Sequence, residues 1–276
     1  MNHYVIDVGS RSIKLHRQSG KDVSLTAIRN WDPINDARDA ERLDQLLAHL
    51  ITEADRAASI RAIGTAAARR NPELAAAIGT ACERRGLPYE TISQAREADL
   101  IRRAIGSRRQ LDIINTGGGS IQIVHAKGGT ELIEFGISDL NAMFGLGRSP
   151  EDRRINAARR FLADGLPAGL RRFVYTGGEK RYLQSLGIRL DSRGFCRADD
   201  FRALARRLET LTQDELDRLS PFDTGWMSGA IASNLIVEAC LDLSGADRFL
   251  PSDLNIADGV IAGLAGAGST GGRTHG

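Results

Sequence analysis

Cysteine is scarce in this sequence: Cys82, Cys196 and Cys240 are 3 in number and far apart. An odd, dispersed set excludes a disulfide framework and a closed zinc site, so the three read as isolated thiols. Aromatic residues are also few, at 5%, whereas alanine and glycine abound; small side chains are expected to pack around backbone turns. No window approaches the roughly 18 apolar residues that a membrane-spanning helix requires. The opening MNHYVIDVGS enters a strand with no basic leader. A cytoplasmic protein without a membrane partner is therefore expected. An excess of one charge is missing too: 37 Lys and Arg against 35 Asp and Glu leave a formal net charge of +2, which argues against a dedicated nucleic-acid surface. Arg69-Arg70, Arg84-Arg85, Arg108-Arg109, Arg153-Arg154 and Arg171-Arg172 recur among acids and read as a solvated, salt-bridged face. His3, His16, His49, His125 and His275 show no ligand or Ser-His-acid spacing. No Gly-Lys-Ser or Gly-Lys-Thr closes a glycine run, which excludes a Walker-type loop.

What remains is an ordinary globular composition, 42% hydrophobic and 26% charged over 276 residues, enough for two lobes with cores of their own. Tyr4 to Asp7 is a short apolar run ending in an acid, followed by Gly9-Ser10-Arg11-Ser12 and a second run from Ile13 to His16. The period after the turn is two, so two strands joined by a tight turn are expected. Val23 to Ile28 supplies a third strand after the turn Ser19-Gly20-Lys21-Asp22. Residues 41 to 57 place Leu43, Leu46, Leu47, Leu50 and Ile51 on one helical face. Ile60 to Ile63 and Leu87 to Ile92 read as strands, with a helix opened by Pro72 between them. That alternation predicts parallel pairing under covering helices.

The same layout returns near residue 110. Leu111 to Asn115 reads as a strand, Thr116-Gly117-Gly118-Gly119-Ser120 as a turn, and Ile121 to Val124 as a strand, followed by Glu131 to Phe135. Ser149-Pro150-Glu151-Asp152 offers an N-cap with proline at the first helical position, and Thr212 to Glu215 a capping box. Arg172 to Tyr175 is a further strand, ending in Thr176-Gly177-Gly178-Glu179. Helices are expected over 200–209, 214–220, 228–243 and 256–264, and a flexible tail over 266–276. The helix from Ser228, with Trp226, could support the lobe or form a homodimer seam.

A hairpin turn of Gly and Ser directs backbone N–H groups into a concavity, and such a nest attracts anions. Two equivalent turns, Asp7-Val8-Gly9-Ser10 and Asn115-Thr116-Gly117-Gly118-Gly119-Ser120, point to phosphate held from two lobes, with Gly177-Gly178 as a third close-approach point. At these motifs the chain resembles the exopolyphosphatase and guanosine pentaphosphate phosphohydrolase family, a branch of the actin, sugar kinase and heat-shock ATPase superfamily. Residues 4–15 resemble its opening strand and phosphate loop, Thr65 to Arg69 its threonine-arginine segment, and Ile92 to Ala98 its glutamate segment. Asn115 to Ser120 resembles its second phosphate loop; Gly177-Gly178 and Asp258-Gly259 match more loosely.

The resemblance implies an α/β fold of two actin-like, ribonuclease H-like lobes, with mixed sheets covered by helices and a central cleft. Residues 1–109 would form the first lobe, completed by a helix at 255–265, and 110–254 the second. It also implies hydrolysis of a terminal phosphoanhydride of polyphosphate or of a nucleoside polyphosphate such as guanosine pentaphosphate. Glu97 would be the base, Asp7 and Asn115 would position Mg²⁺, and Arg69 would clamp charge. Gly9, Ser10, Arg11, Ser12, Gly117, Gly118, Gly119, Ser120, Gln122, Gly177 and Gly178 would bind phosphate. The sequence departs from the family where Asn115 replaces Asp, Gln122 replaces Glu, Arg11 replaces Asn, Arg96 replaces an acid and Glu179 replaces Thr. Three readings stay open: a phosphohydrolase, a non-catalytic phosphate or nucleotide sensor or partner subunit, and a phosphotransferase acting on a small acceptor.

Overall fold

A computed structural model describes residues 2–19, 22–32, 40–54, 59–106, 110–147, 150–221 and 225–268. The turn residues Gly20 and Lys21, the pair Arg108-Arg109, Ser149 of the expected cap, His275 and the tail from residue 269 lie outside these. The first elements are β1 (His3–Val8), β2 (Ser12–Ser19), β3 (Asp22–Asn30), α1 (Ala40–Thr52), β4 (Ser59–Gly64), α2 (Ala66–Arg70), α3 (Pro72–Glu83), β5 (Tyr89–Thr91) and α4 (Gln94–Ile105). They are followed by β6 (Asp112–Thr116), β7 (Ile121–Val124), β8 (Thr130–Ile133), α5 (Ile137–Phe144), α6 (Asp152–Gly165), β9 (Phe173–Thr176) and α7 (Glu179–Ser185). The chain closes with β10 (Cys196–Arg197), α8 (Ala198–Glu209), α9 (Gln213–Arg218), a 3-10 turn (Trp226–Gly229), α10 (Ala230–Ser244), β11 (Arg248–Pro251) and α11 (Ile256–Gly268). Two compact units result: Met1–Gly106 with Ile256–Gly276, and Ser107–Asn255.

The first unit holds a sheet of order β3-β2-β1-β4-β5. Short turns make β1, β2 and β3 antiparallel neighbours, whereas helical crossovers make β4 parallel to β1 and β5 parallel to β4. Strand residues alternate between faces. Tyr4, Ile6, Val8, Ile13 and Leu15 pack with Leu43, Leu47 and Leu50 of α1 and Leu74 and Ile78 of α3. On the other face Val5 and Ile63 pack with Leu100 of α4 and Ala257, Val260 and Ile261 of α11. Because both faces are covered, β1 reads as one continuous apolar run. Gly259 lets α11 lie directly on α4: a Cβ there would collide with the carbonyl oxygen of Leu100 and sit 2.5 Å from its carbonyl carbon.

The second unit repeats the plan as β10-β11-β9-β6-β7-β8. Antiparallel β6-β7-β8 is followed by parallel β9 and β11, and β10 is added at the edge. Ile114, Tyr175 and Phe249 meet Ile231, Leu235, Ile236 and Cys240 of α10 in its core, where the Phe173 and Phe249 rings stack at 5.6 Å. Both units thus show the mixed-sheet, ribonuclease H-like arrangement that the family resemblance implies. Several local expectations need correction. Helix α6 starts at Asp152 with Glu151 as N-cap, so Pro150 precedes the cap instead of occupying the first helical position. Helix α1 ends at Thr52, β5 has only three residues, and α11 runs to Gly268, into the expected tail. Among the described residues no helix is long and apolar enough to cross a membrane.

His16 on β2 is buried, its Nε2 has no hydrogen-bond partner, and it lies cross-strand from Val5. Burial, with a smaller contribution from Lys14, pushes its pKa down to about 3. The unfolded chain would take up a proton near pH 6.5 that the folded chain refuses. This stabilisation is complete above about pH 6.5 and falls as pH drops toward the folded pKa. Urea midpoints should therefore decline between pH 6.5 and 4.5 by an amount worth about 2 kcal/mol, and His16→Leu should flatten that slope. An unchanged slope in the variant would show that other groups cause it.

Candidate functional site

The first glycine turn is closed by one backbone bond, from Gly9 N–H to the Ser12 carbonyl at 3.1 Å. A Cβ on Gly9 would lie 3.2 Å from that oxygen, so glycine allows the tight closure. Trp31 holds the turn from behind. Its indole N–H donates to the Gly9 carbonyl at 2.9 Å, and its backbone N–H donates to the Arg11 carbonyl at 3.2 Å. Burial lowers the pKa of the Arg11 guanidinium. Asp7 stands at the end of β1, cross-strand from Lys14. Its Oδ1 is shielded from solvent and has no hydrogen-bond partner. Enclosure raises its pKa, opposed by the Lys14 charge.

Beside this turn, Thr65 donates to the Val8 carbonyl through its backbone N–H at 3.3 Å and its hydroxyl at 3.4 Å. The contact ties the start of α2 to the residue before Gly9. One helical turn later Arg69 reaches the N-terminal turn of α4. Its Nη1 donates to the Ile92 carbonyl at 2.9 Å and to Glu97 Oε1 at 2.5 Å. The Glu97 side chain is 2% exposed and that of Arg69 18%. Ser93 caps α4 by accepting from the Arg96 N–H, and this fixes the turn that carries Glu97. The sequence-predicted base and clamp are therefore partners in one largely buried ion pair.

The second turn repeats the closure of the first: Gly117 N–H donates to the Ser120 carbonyl at 2.9 Å. It too is braced through carbonyls, here by the start of α5. Ile137 N–H reaches the Gly117 carbonyl at 3.0 Å, and Ser138 N–H the Gly118 carbonyl at 2.7 Å. In a trans peptide the carbonyl and the following N–H point in opposite directions, so the N–H groups of Gly118 and Gly119 face away from α5. Behind the turn, register brings Asn115 opposite Gln122 on β7 and beside Thr176 on β9. Asn115 Nδ2 donates to Gln122 Oε1 at 2.6 Å. Gln122 Nε2 donates to Ser120 Oγ at 3.0 Å, and Thr176 Oγ1 to Asn115 Oδ1 at 2.9 Å. All four side chains are buried, and the network carries no formal charge.

Gly177 and Gly178 have φ of +112° and +104°, a backbone region that favours glycine. Gly177 passes close to the second turn, where a Cβ would lie 3.8 Å from the Thr116 carbonyl oxygen. Glu179, which follows, is buried, and its Oε1 has no partner. Burial first, and Asp253 second, push its pKa up to about 8. Burial first, and the neighbouring Glu179 carboxyl second, raise the pKa values of Tyr175 and Tyr182.

Sequence reasoning missed Trp31, Lys14 and Thr176. The register of β1 with β2 and of β6 with β9 reveals the last two, and no local pattern signals the first. No cluster of three or more His, Cys, Asp or Glu able to hold a metal exists among the described residues. Asp7 Oδ1 suits a hard cation that keeps most of its ligands as water and substrate oxygens. Asn115 suits it less, since its carbonyl oxygen already accepts from Thr176.

The crystal structure of an exopolyphosphatase from Cytophaga hutchinsonii superposes with a TM-score of 0.76 at 16% identity, covering 97% of this chain and 98% of that one. An Aquifex aeolicus member of the Ppx/GppA family gives 0.68 at 17% identity, covering 99% of each chain. An exopolyphosphatase-like protein gives 0.71 at 17% identity, covering 95% of this chain and 97% of that one. At these identities the likeness establishes the fold. No curated protein matches the sequence. The model of the Ppx/GppA phosphatase family matches residues 20–191, a span that contains Arg69, Glu97 and the whole second turn. With more than half of its 276 residues matched, the chain belongs to the Ppx/GppA phosphatase family.

Proposed function

We propose that this chain is a phosphohydrolase that releases the terminal phosphate of polyphosphate or of a nucleoside polyphosphate such as guanosine pentaphosphate. The observation that carries this reading is the buried Arg69–Glu97 pair beside a closed glycine turn. An incoming phosphoryl group would compete for the Arg69 guanidinium, which is suited to sharing its donors between a carboxylate and a phosphate. Glu97 would then accept a proton from water as the water oxygen bonds to the terminal phosphorus. The bridging P–O bond breaks, and its electron pair leaves with the shortened phosphate chain. Arg69 neutralises charge on the transferred group, and the turn amides hold its oxygens, the positioning and electrostatic work that dominates phosphoryl transfer. Asp7 would hold Mg²⁺, which when bound neutralises phosphate charge.

A second reading, a binder that senses phosphate without turnover, is favoured by one observation: the uncharged Asn115–Gln122–Ser120 network leaves the second turn without a carboxylate. Phosphate release from inorganic tripolyphosphate, long-chain polyphosphate and guanosine pentaphosphate decides between them, measured with Mg²⁺ and with excess EDTA. Release that depends on Mg²⁺ is expected. Calorimetric binding with no release from any of the three would select the binder, and neither binding nor release would reject both.

A further inference from the structure

We infer that Trp31 is a positioning residue for the first glycine turn, resting on the proposal that this turn binds phosphate oxygens. Trp31 lies 22 residues from Gly9 in sequence, yet its ring N–H bonds the Gly9 carbonyl. Its backbone N–H bonds the Arg11 carbonyl, so two of the turn's carbonyls point at one residue. In trans peptides the N–H groups of Ser10 and Ser12 are thereby directed away from the tryptophan. The ring is buried against the core of the first unit, so the brace is anchored to the packing of the sheet and α1. The second turn has the same device in different material, with α5 amides holding the Gly117 and Gly118 carbonyls. One residue, through its ring N–H and its backbone N–H, thus does in the first unit what a helix start does in the second. Trp31 touches no reacting atom in this scheme; it acts through the turn.

The test separates the ring's bulk from its hydrogen bond. Trp31→Phe keeps an aromatic ring without the donor, and incorporation of benzothienylalanine at position 31 keeps the bicyclic shape while replacing N–H with sulfur. Backbone ¹⁵N relaxation of residues 9–12 should show rigid amides in the native chain, with order parameters near about 0.85, and values below about 0.6 in both variants. The KM for tripolyphosphate should rise about 5- to 10-fold while kcat changes less than about 2-fold, the signature of lost uniform binding. Turn amides as ordered in the benzothienylalanine protein as in the native chain would overturn the assignment, whatever the turnover. A native chain that hydrolyses no phosphoanhydride would instead defeat the phosphohydrolase reading, and the relaxation data would still decide the role of Trp31.

Discussion

Glu97→Gln should slow phosphate release by about 100-fold or more, the range typical of removing a general base, with KM little changed. Glutamine keeps the size of the side chain and an oxygen to accept from Arg69, so the turn at the start of α4 retains its shape. What it loses is the capacity to take a proton from water. The variant also leaves the Arg69 guanidinium facing a neutral partner in a site where Glu97 is 2% exposed, so some stability is lost as well. Thermal unfolding alongside the kinetics separates the two effects: a folded variant with a collapsed rate identifies the base. If the folded variant keeps its rate within about 3-fold, far from the loss expected on removing a general base, Glu97 has no part in the chemistry.

The second large effect is expected at Gly136, just before α5. Its backbone is extended and suits any residue, but a Cβ there would collide with the Gly117 carbonyl oxygen and lie 2.7 Å from the Gly118 carbonyl carbon. These are main-chain atoms and cannot swing aside. Gly136→Ala must therefore push α5 off the second turn and break the bonds from Ile137 and Ser138 that brace it. A loss of about 3 kcal/mol is expected, at the upper end of ordinary overpacking, together with weaker binding of phosphate compounds. Gly128→Ala is the control. That glycine has φ of +99° and open space around it, so only backbone strain of about 1 kcal/mol should appear. Urea unfolding checks both, and equal losses would show that the close approach at Gly136 is not what limits the site.

The two turns were legible in the sequence because each lies between strand-like runs of period two and begins with a glycine followed three residues later by serine. The backbone closure from Gly9 to Ser12 and from Gly117 to Ser120 follows from that spacing. Helix α2 was not legible as a helix, since its five residues are too few to show a helical period. The meeting of Asn115, Gln122 and Thr176 was legible only as three separate polar residues. Strand register, which depends on the whole sheet, puts them on one face. Likewise Arg69 and Glu97 were readable as separate candidates by resemblance, while their ion pair required the ends of β4 and β5 to lie side by side, as the register of Gly64 with Thr91 shows.

The placement of α11 has a consequence for how the chain is made. The helix that seals Val5 and Ile63 is encoded at the far end of the sequence, after the whole second unit. A ribosome therefore delivers β1 to β5 long before the last part of their cover exists, and Val5 and Ile63 have only the α4 side of that layer available until translation has passed residue 261. The first unit begun is in this sense the last one finished.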